Sequence, residues 1–162
     1  MPITLSLSIQ YAVSADHLPR WRLRHWAEQA LRAASKDMSD PPQKLILTLR
    51  LVDEEEGRTL NRLYRERDYA TNVLTFQYDP MPDDDSAWMA DIVLCIPVLV
   101  REAHEQQKTI LDHAAHLCVH GVLHALGYDH MDDEEALEME TLETTILQHM
   151  KIQDPYQDRI SS

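Results

Sequence analysis

The chain has 162 residues, 44% hydrophobic and 27% charged, an ordinary globular composition with enough length to bury one core. Its longest apolar run, residues 92–100, is interrupted by Pro97 and falls far short of the ~20 residues of a membrane span, and MPITLSLSIQ lacks a basic leader, so a cytoplasmic protein is expected. A net charge of −13 excludes a protein that coats nucleic acid by bulk electrostatics, but residues 1–70 hold 11 Lys+Arg against 10 Asp+Glu and the remainder 4 against 18.

Residues 3–9 (ITLSLSI) alternate apolar and polar, the period of a strand with one buried face. From Leu18 to about Ala34, Leu23, Trp26, Ala27, Ala30 and Leu31 recur at helical spacing. A polar, proline-ended connection over 35–42 leads to a second alternating strand, Lys44 to Val52. Asp53 with Glu56 forms an acidic variant of the capping box, opening a helix to about Arg67 on which Leu60, Leu63 and Tyr64 should face the core. Gly57 inside that helix costs about 1 kcal/mol relative to Ala and has no explanation in the sequence. Asn72 to Tyr78 suggests a third strand. Residues 79–87 (DPMPDDDSA) form an acidic loop, whose three aspartates read better as a solvated run than as a cation site.

Ala90 to Cys95 is the fourth strand, and Pro97 suits the first position of the helix that follows. Cys95 and Cys118 form no CxxC and read as buried, reduced thiols. Thr109 and Asp112 cap a helix that carries His113, His116, His120 and His124 and ends at Gly127. A last helix starts near Asp132 and buries Met139, Leu142 and Ile146. No repeat or linker interrupts this order. The pattern predicts one α+β domain over residues 1–150, a small mixed sheet of about four strands surrounded by about five helices, with a polar tail over 151–162.

The chemistry concentrates in HGVLHALGYDH. His120 and His124, four apart, share one helix face, and Gly127 can take the left-handed conformation that turns the chain back and returns His130 as a third imidazole. Three neutral imidazoles suit Zn2+ and leave a fourth position open, the mark of a catalytic rather than a structural metal. The run matches the ligand positions of the metzincin peptidase signature HExxHxxGxxH, but Gly121 stands where that signature has its glutamate base. Without that base, phosphodiester hydrolysis fits better than peptide hydrolysis, because it needs chiefly a Lewis acid and positive charge on phosphoryl oxygens. Arg58, Arg62, Arg65 and Arg67 are the candidate cations. Asp91 and Asp129 are candidates to hold a ligand histidine from behind, and Tyr128 reads as a packing residue.

The run HxxxHGxLHxxGYDH (His116 through His130), with LNRLYR (60–65), TxVLTF (71–76) and ADI (90–92), resembles the YbeY family of bacterial ribosomal RNA maturation factors. The resemblance implies a metal-dependent, single-strand-specific endoribonuclease acting in 16S rRNA processing and ribosome quality control. It implies one Zn2+ held by His120, His124 and His130, with Arg65 facing the site and His116 one turn below His120 as a contact to substrate or to a ligand. The implied partners are single-stranded RNA, above all 16S rRNA precursor, and the ribosome or its small subunit, with no DNA and no membrane. Asn72 stands where the family usually has aspartate, which puts in doubt any carboxylate hold on an arginine or ligand histidine there. Two other functions remain open on the sequence: a non-catalytic ribosome assembly factor with structural zinc, and a metzincin-like metallopeptidase.

Overall fold

The computed structural model describes residues 3–79, 83 and 86–152. Along the chain these form β1 (Thr4–Tyr11), α1 (Arg20–Asp37), β2 (Lys44–Val52), α2 (Glu54–Arg65), β3 (Val73–Tyr78), β4 (Ala87–Cys95), α3 (Ile96–Glu105), α4 (Ile110–Ala125) and α5 (Asp133–His149). The sheet runs in the order β1-β2-β4-β3, with β1, β2 and β4 parallel and β3 antiparallel to β4. This is the expected single α+β domain with a four-stranded mixed sheet and five helices. The acidic loop lies mostly outside the described residues, as does the tail beyond residue 152.

Alternation in β2 sends Leu45, Leu47, Leu49 and Leu51 to one face, where Ala90, Ile92 and Leu94 of β4 join them. Leu23, Trp26, Ala27 and Ala30 of α1 and much of α4 bury that face, and α5 closes over them through Met139, Ile146 and Leu147. On the opposite face Val52, Leu74, Val93, Cys95 and Val98 form a smaller cluster, with Leu60 of α2 packed against it. The histidine-bearing α4 therefore sits pinned between sheet and helices, which fixes where its side chains can point.

The caps act as the sequence implied. Asp53 accepts from the backbone of Glu56, Thr109 from Asp112 and Asp132 from Glu135. Leu63 and Tyr64, expected in the core, are each 64% exposed, while the buried positions of α2 are Gly57 and Asn61. The reason lies in the close approach of α2 to the end of β4. A Cβ on Gly57 would stand 3.0 Å from Cys95 Sγ, so the glycine marks the contact face and turns Leu63 and Tyr64 outward.

Gly121 has the same logic in α4. A Cβ there would lie 2.9 Å from Ile92 Cγ2, so this position faces the sheet at close range and not the histidine cleft. Gly121→Ala should cost about 1–3 kcal/mol of overpacking, against about 1 kcal/mol gained in helix propensity. The urea midpoint should fall accordingly. An unchanged midpoint would show that Ile92 yields.

Candidate metal centre

The end of α4 is built as a Schellman cap. The Tyr128 N–H donates to Leu123 O and the Gly127 N–H to His124 O, with Gly127 at φ +98°. Gln77 of β3 also donates to His124 O, at 2.6 Å, tying the last turn of the helix to the sheet edge. The reversal carries His130 back beside the helix. The rings of His124 and His130 are 5.1 Å apart and those of His120 and His124 4.5 Å.

One ring nitrogen from each of His120, His124 and His130 lies within 4.8 Å of the other two, and the Nε2 atoms of His120 and His124 are 3.0 Å apart. A tetrahedral ion with bonds of about 2.0–2.1 Å sets its ligand nitrogens about 3.4 Å apart, so the three imidazoles fit a metal with small side-chain adjustments. The group could hold a metal ion. Ligation needs neutral imidazole. Burial, followed by the charges of His120 and His130, pushes His124 down to about 4, so it stays in the ligating form at neutral pH.

Behind the triad lies Glu143 of α5, a carboxylate with no solvent exposure. Its Oε1 stands 2.5 Å from His120 Nδ1 and its Oε2 3.0 Å from His116 Nε2. Burial alone would raise this carboxyl, but hydrogen bonds from His116 and His120 outweigh it and hold the group at about 2. Glu143, His116 and His120 themselves form a second arrangement that could hold an ion. The bonding pattern also matches a carboxylate that orients a ligand histidine from behind, leaving His120 Nε2 toward the cleft. The sequence reading missed Glu143. Its one signal was a carboxylate placed on the apolar stripe Met139–Ile146–Leu147.

Of the two aspartates that the sequence offers for that role, Asp91 is engaged elsewhere and Asp129 stays beside His130. Asp91 accepts from the Tyr78 hydroxyl, and Asp129 accepts from the backbone of His130 while standing 4.0 Å from its Nδ1. His113 is buried, with Nε2 2.9 Å from Glu102 Oε1, and does not line the cleft. The same Glu102 oxygen accepts from Asn72 Nδ2 at 2.9 Å, so Asn72 reaches neither an arginine nor a ligand histidine. Tyr128 packs at the helix end and donates to Asp37.

The triad opens onto a cleft of about 540 Å³ between α4, β3 and the α2–β3 loop. Arg65, the last residue of α2, lines it, with Nη2 3.2 Å from Thr75 O. Arg67 lines it as well, whereas Arg58 is paired with Asp68 and does not. The structure thus brings His120, His124, His130 and Arg65 together around one opening. His116 sits below, on Glu143.

Imidazoles converging in a polar cleft beside a guanidinium, on a small α+β domain, give this chain the build of an enzyme whose site could hold a metal ion. The Endoribonuclease YbeY family model matches residues 8–151, and the chain belongs to that family, a group of hydrolases. It is 58% identical over 156 residues to Endoribonuclease YbeY of Bordetella pertussis, covering 96% of this chain and 98% of the relative. It is 49% identical to the protein of that name from Pseudomonas syringae pv. syringae, over 95% of this chain and 89% of the relative. The solution structure of TM1509 from Thermotoga maritima shares the fold, with a TM-score of 0.54, 24% identity and 89% and 92% of the two chains covered. Among the described residues, no helix is long and apolar enough to cross a membrane.

Proposed function

We propose that this chain is a zinc-dependent endoribonuclease that cuts single-stranded RNA and serves in 16S rRNA maturation and ribosome quality control. The observation that carries this reading is the meeting of three ring nitrogens and Arg65 at one cleft. The relatives named as endoribonucleases support the same chemistry. His120, His124 and His130 would hold the ion, and Zn2+ suits three imidazoles, although Ni2+ or Co2+ could also fill them. When bound, the metal supplies a Lewis acid for a phosphoryl oxygen.

The remaining work falls to the chain. Glu143 holds the Nδ1 side of His120, and His116 acts behind it by holding the second carboxylate oxygen. The bond to Thr75 O sets the Arg65 guanidinium against β3, from where its planar fork can meet a phosphate. Residue 121 is a glycine packed toward Ile92 and offers the cleft no carboxylate base, which suits phosphodiester better than peptide hydrolysis. The substrate on this reading is 16S rRNA precursor on the small ribosomal subunit, in the cytoplasm, with no DNA or membrane partner. A chain of net charge −13 would rely on local cations and on the ribosome to approach RNA.

The test is metal-dependent cutting of a single-stranded RNA spanning the 3′ end of the 16S precursor, compared with the same sequence in a duplex. Cutting of the single strand alone is expected, and equal cutting of both would remove the strand specificity. Arg65→Glu should retain metal but cut about 10- to 100-fold more slowly, from the loss of a charge-assisted phosphate contact. Wild-type rates in that variant would end the assignment of Arg65.

A further inference from the structure

The loop between α2 and β3 is held more firmly than an exposed connection requires. Glu66 takes a left-handed conformation that ends α2, and Arg58 grips Asp68 with two bonds of 2.8 and 3.0 Å. Asn61, only 2% exposed, donates to the backbone oxygen of Tyr69 at 2.7 Å. A buried side-chain amide thus fixes the backbone at Tyr69 itself. Arg67 Nη1 then donates to the Tyr69 hydroxyl at 3.2 Å.

This fixed loop presents Tyr69, a residue 52% exposed, on the wall of the cleft that holds the histidine triad. The buried amide fixes the backbone from which the ring projects and Arg67 bonds its hydroxyl, so part of the ordering is complete before any ligand arrives, which lowers the cost of stacking against it. The local charge favours an anionic ligand despite the acidic whole. Among the described residues lining the cleft, Arg65 and Arg67 stand against one carboxylate, Asp129.

We propose that Tyr69 and Arg67 form a nucleotide subsite, in which the Tyr69 ring stacks on an unpaired base and Arg67 contacts the adjoining phosphate. The proposal rests on the ribonuclease reading and deepens it by naming where the strand is held beside the metal centre. Stacking on an aromatic ring tolerates any base but requires an unpaired one. The subsite would therefore select single strands without selecting sequence.

The test is steady-state cleavage of a short single-stranded oligoribonucleotide by the metal-loaded full chain. It uses wild type, Tyr69→Ala and Tyr69→Phe, and a series of RNAs each lacking one base. Loss of one stacked base should raise KM about 10-fold or more, with kcat and bound metal little changed. In wild type, one abasic position should show that rise. Tyr69→Ala should show it with intact RNA and should be indifferent to that abasic position, while Tyr69→Phe should keep KM within about threefold of wild type. An unchanged KM in Tyr69→Ala, or an abasic penalty that persists in it, would overturn the subsite while leaving the ribonuclease reading standing. The abasic series on wild type needs no variant to fold. Failure of wild type to cut or bind the intact RNA would overturn both readings.

Discussion

His124→Ala is expected to lose bound metal and RNA cleavage together. His124 is the central ligand candidate, with its Nε2 3.0 Å from that of His120 and its ring 5.1 Å from that of His130. Its position is set by the Schellman turn and by Gln77 on its carbonyl, so no neighbouring side chain can easily take its place. Four-ligand structural zinc binds with about 10–16 kcal/mol, or about 3 kcal/mol per ligand, so losing one imidazole should weaken zinc roughly a hundredfold or more. Zinc content after dialysis and cutting of the 16S 3′-end RNA are the measurements. Equal cutting by wild type and the variant would expose a contaminating ribonuclease. If neither cut, the assembly-factor reading with structural zinc would take precedence.

The second large effect should come from Glu143→Gln, which keeps the side chain's shape but removes the charge that faces two imidazoles. Loss of a carboxylate behind a ligand histidine typically weakens metal binding about 10- to 100-fold. Competition with a zinc chelator would measure this. Cutting should recover toward the wild-type rate at saturating zinc, because Glu143 orients His120 and does not face the cleft. Unchanged zinc affinity would separate Glu143 from the metal centre. The carboxyl's folded value of about 2 lies below its ordinary 4.5, so its contribution to stability is present above pH 4.5 and is lost as pH falls through about 2. Acid unfolding of metal-free wild type and variant should therefore diverge most above pH 4.5, with wild type the more stable.

Local chemistry was readable in this chain wherever one element carried the whole signal. The alternation of residues 44–52 gave β2 its limits, and Asp53, Thr109 and Asp132 announced their helices because a cap bonds within three residues of itself. The histidine spacing was legible for the same reason: a turn of helix and a glycine reversal suffice to bring His120, His124 and His130 to one side, and Gln77 and Glu143 then hold them there. Motif resemblance extended this to the family.

Burial on α2 was misread because Leu63 and Tyr64 looked like core residues by type, whereas the facing surface was set by how closely the helix approaches Cys95. Asp91 and Asp129 were plausible partners by proximity in sequence, and Asp129 does stand 4.0 Å from His130 Nδ1, but the carboxylate bonded to His120 comes from Glu143, 23 residues beyond it. Asn72 likewise meets Glu102, 30 residues on.

What the sequence by itself determined was the set of elements, their caps and the three imidazoles of the triad, because each rests on spacing within one helix, strand or turn. The tertiary structure alone decided which carboxylate lies behind the triad, which arginines share its cleft and why Gly57 and Gly121 are glycines. Each of those depends on the distance between elements far apart in the chain, and packing fixes that distance.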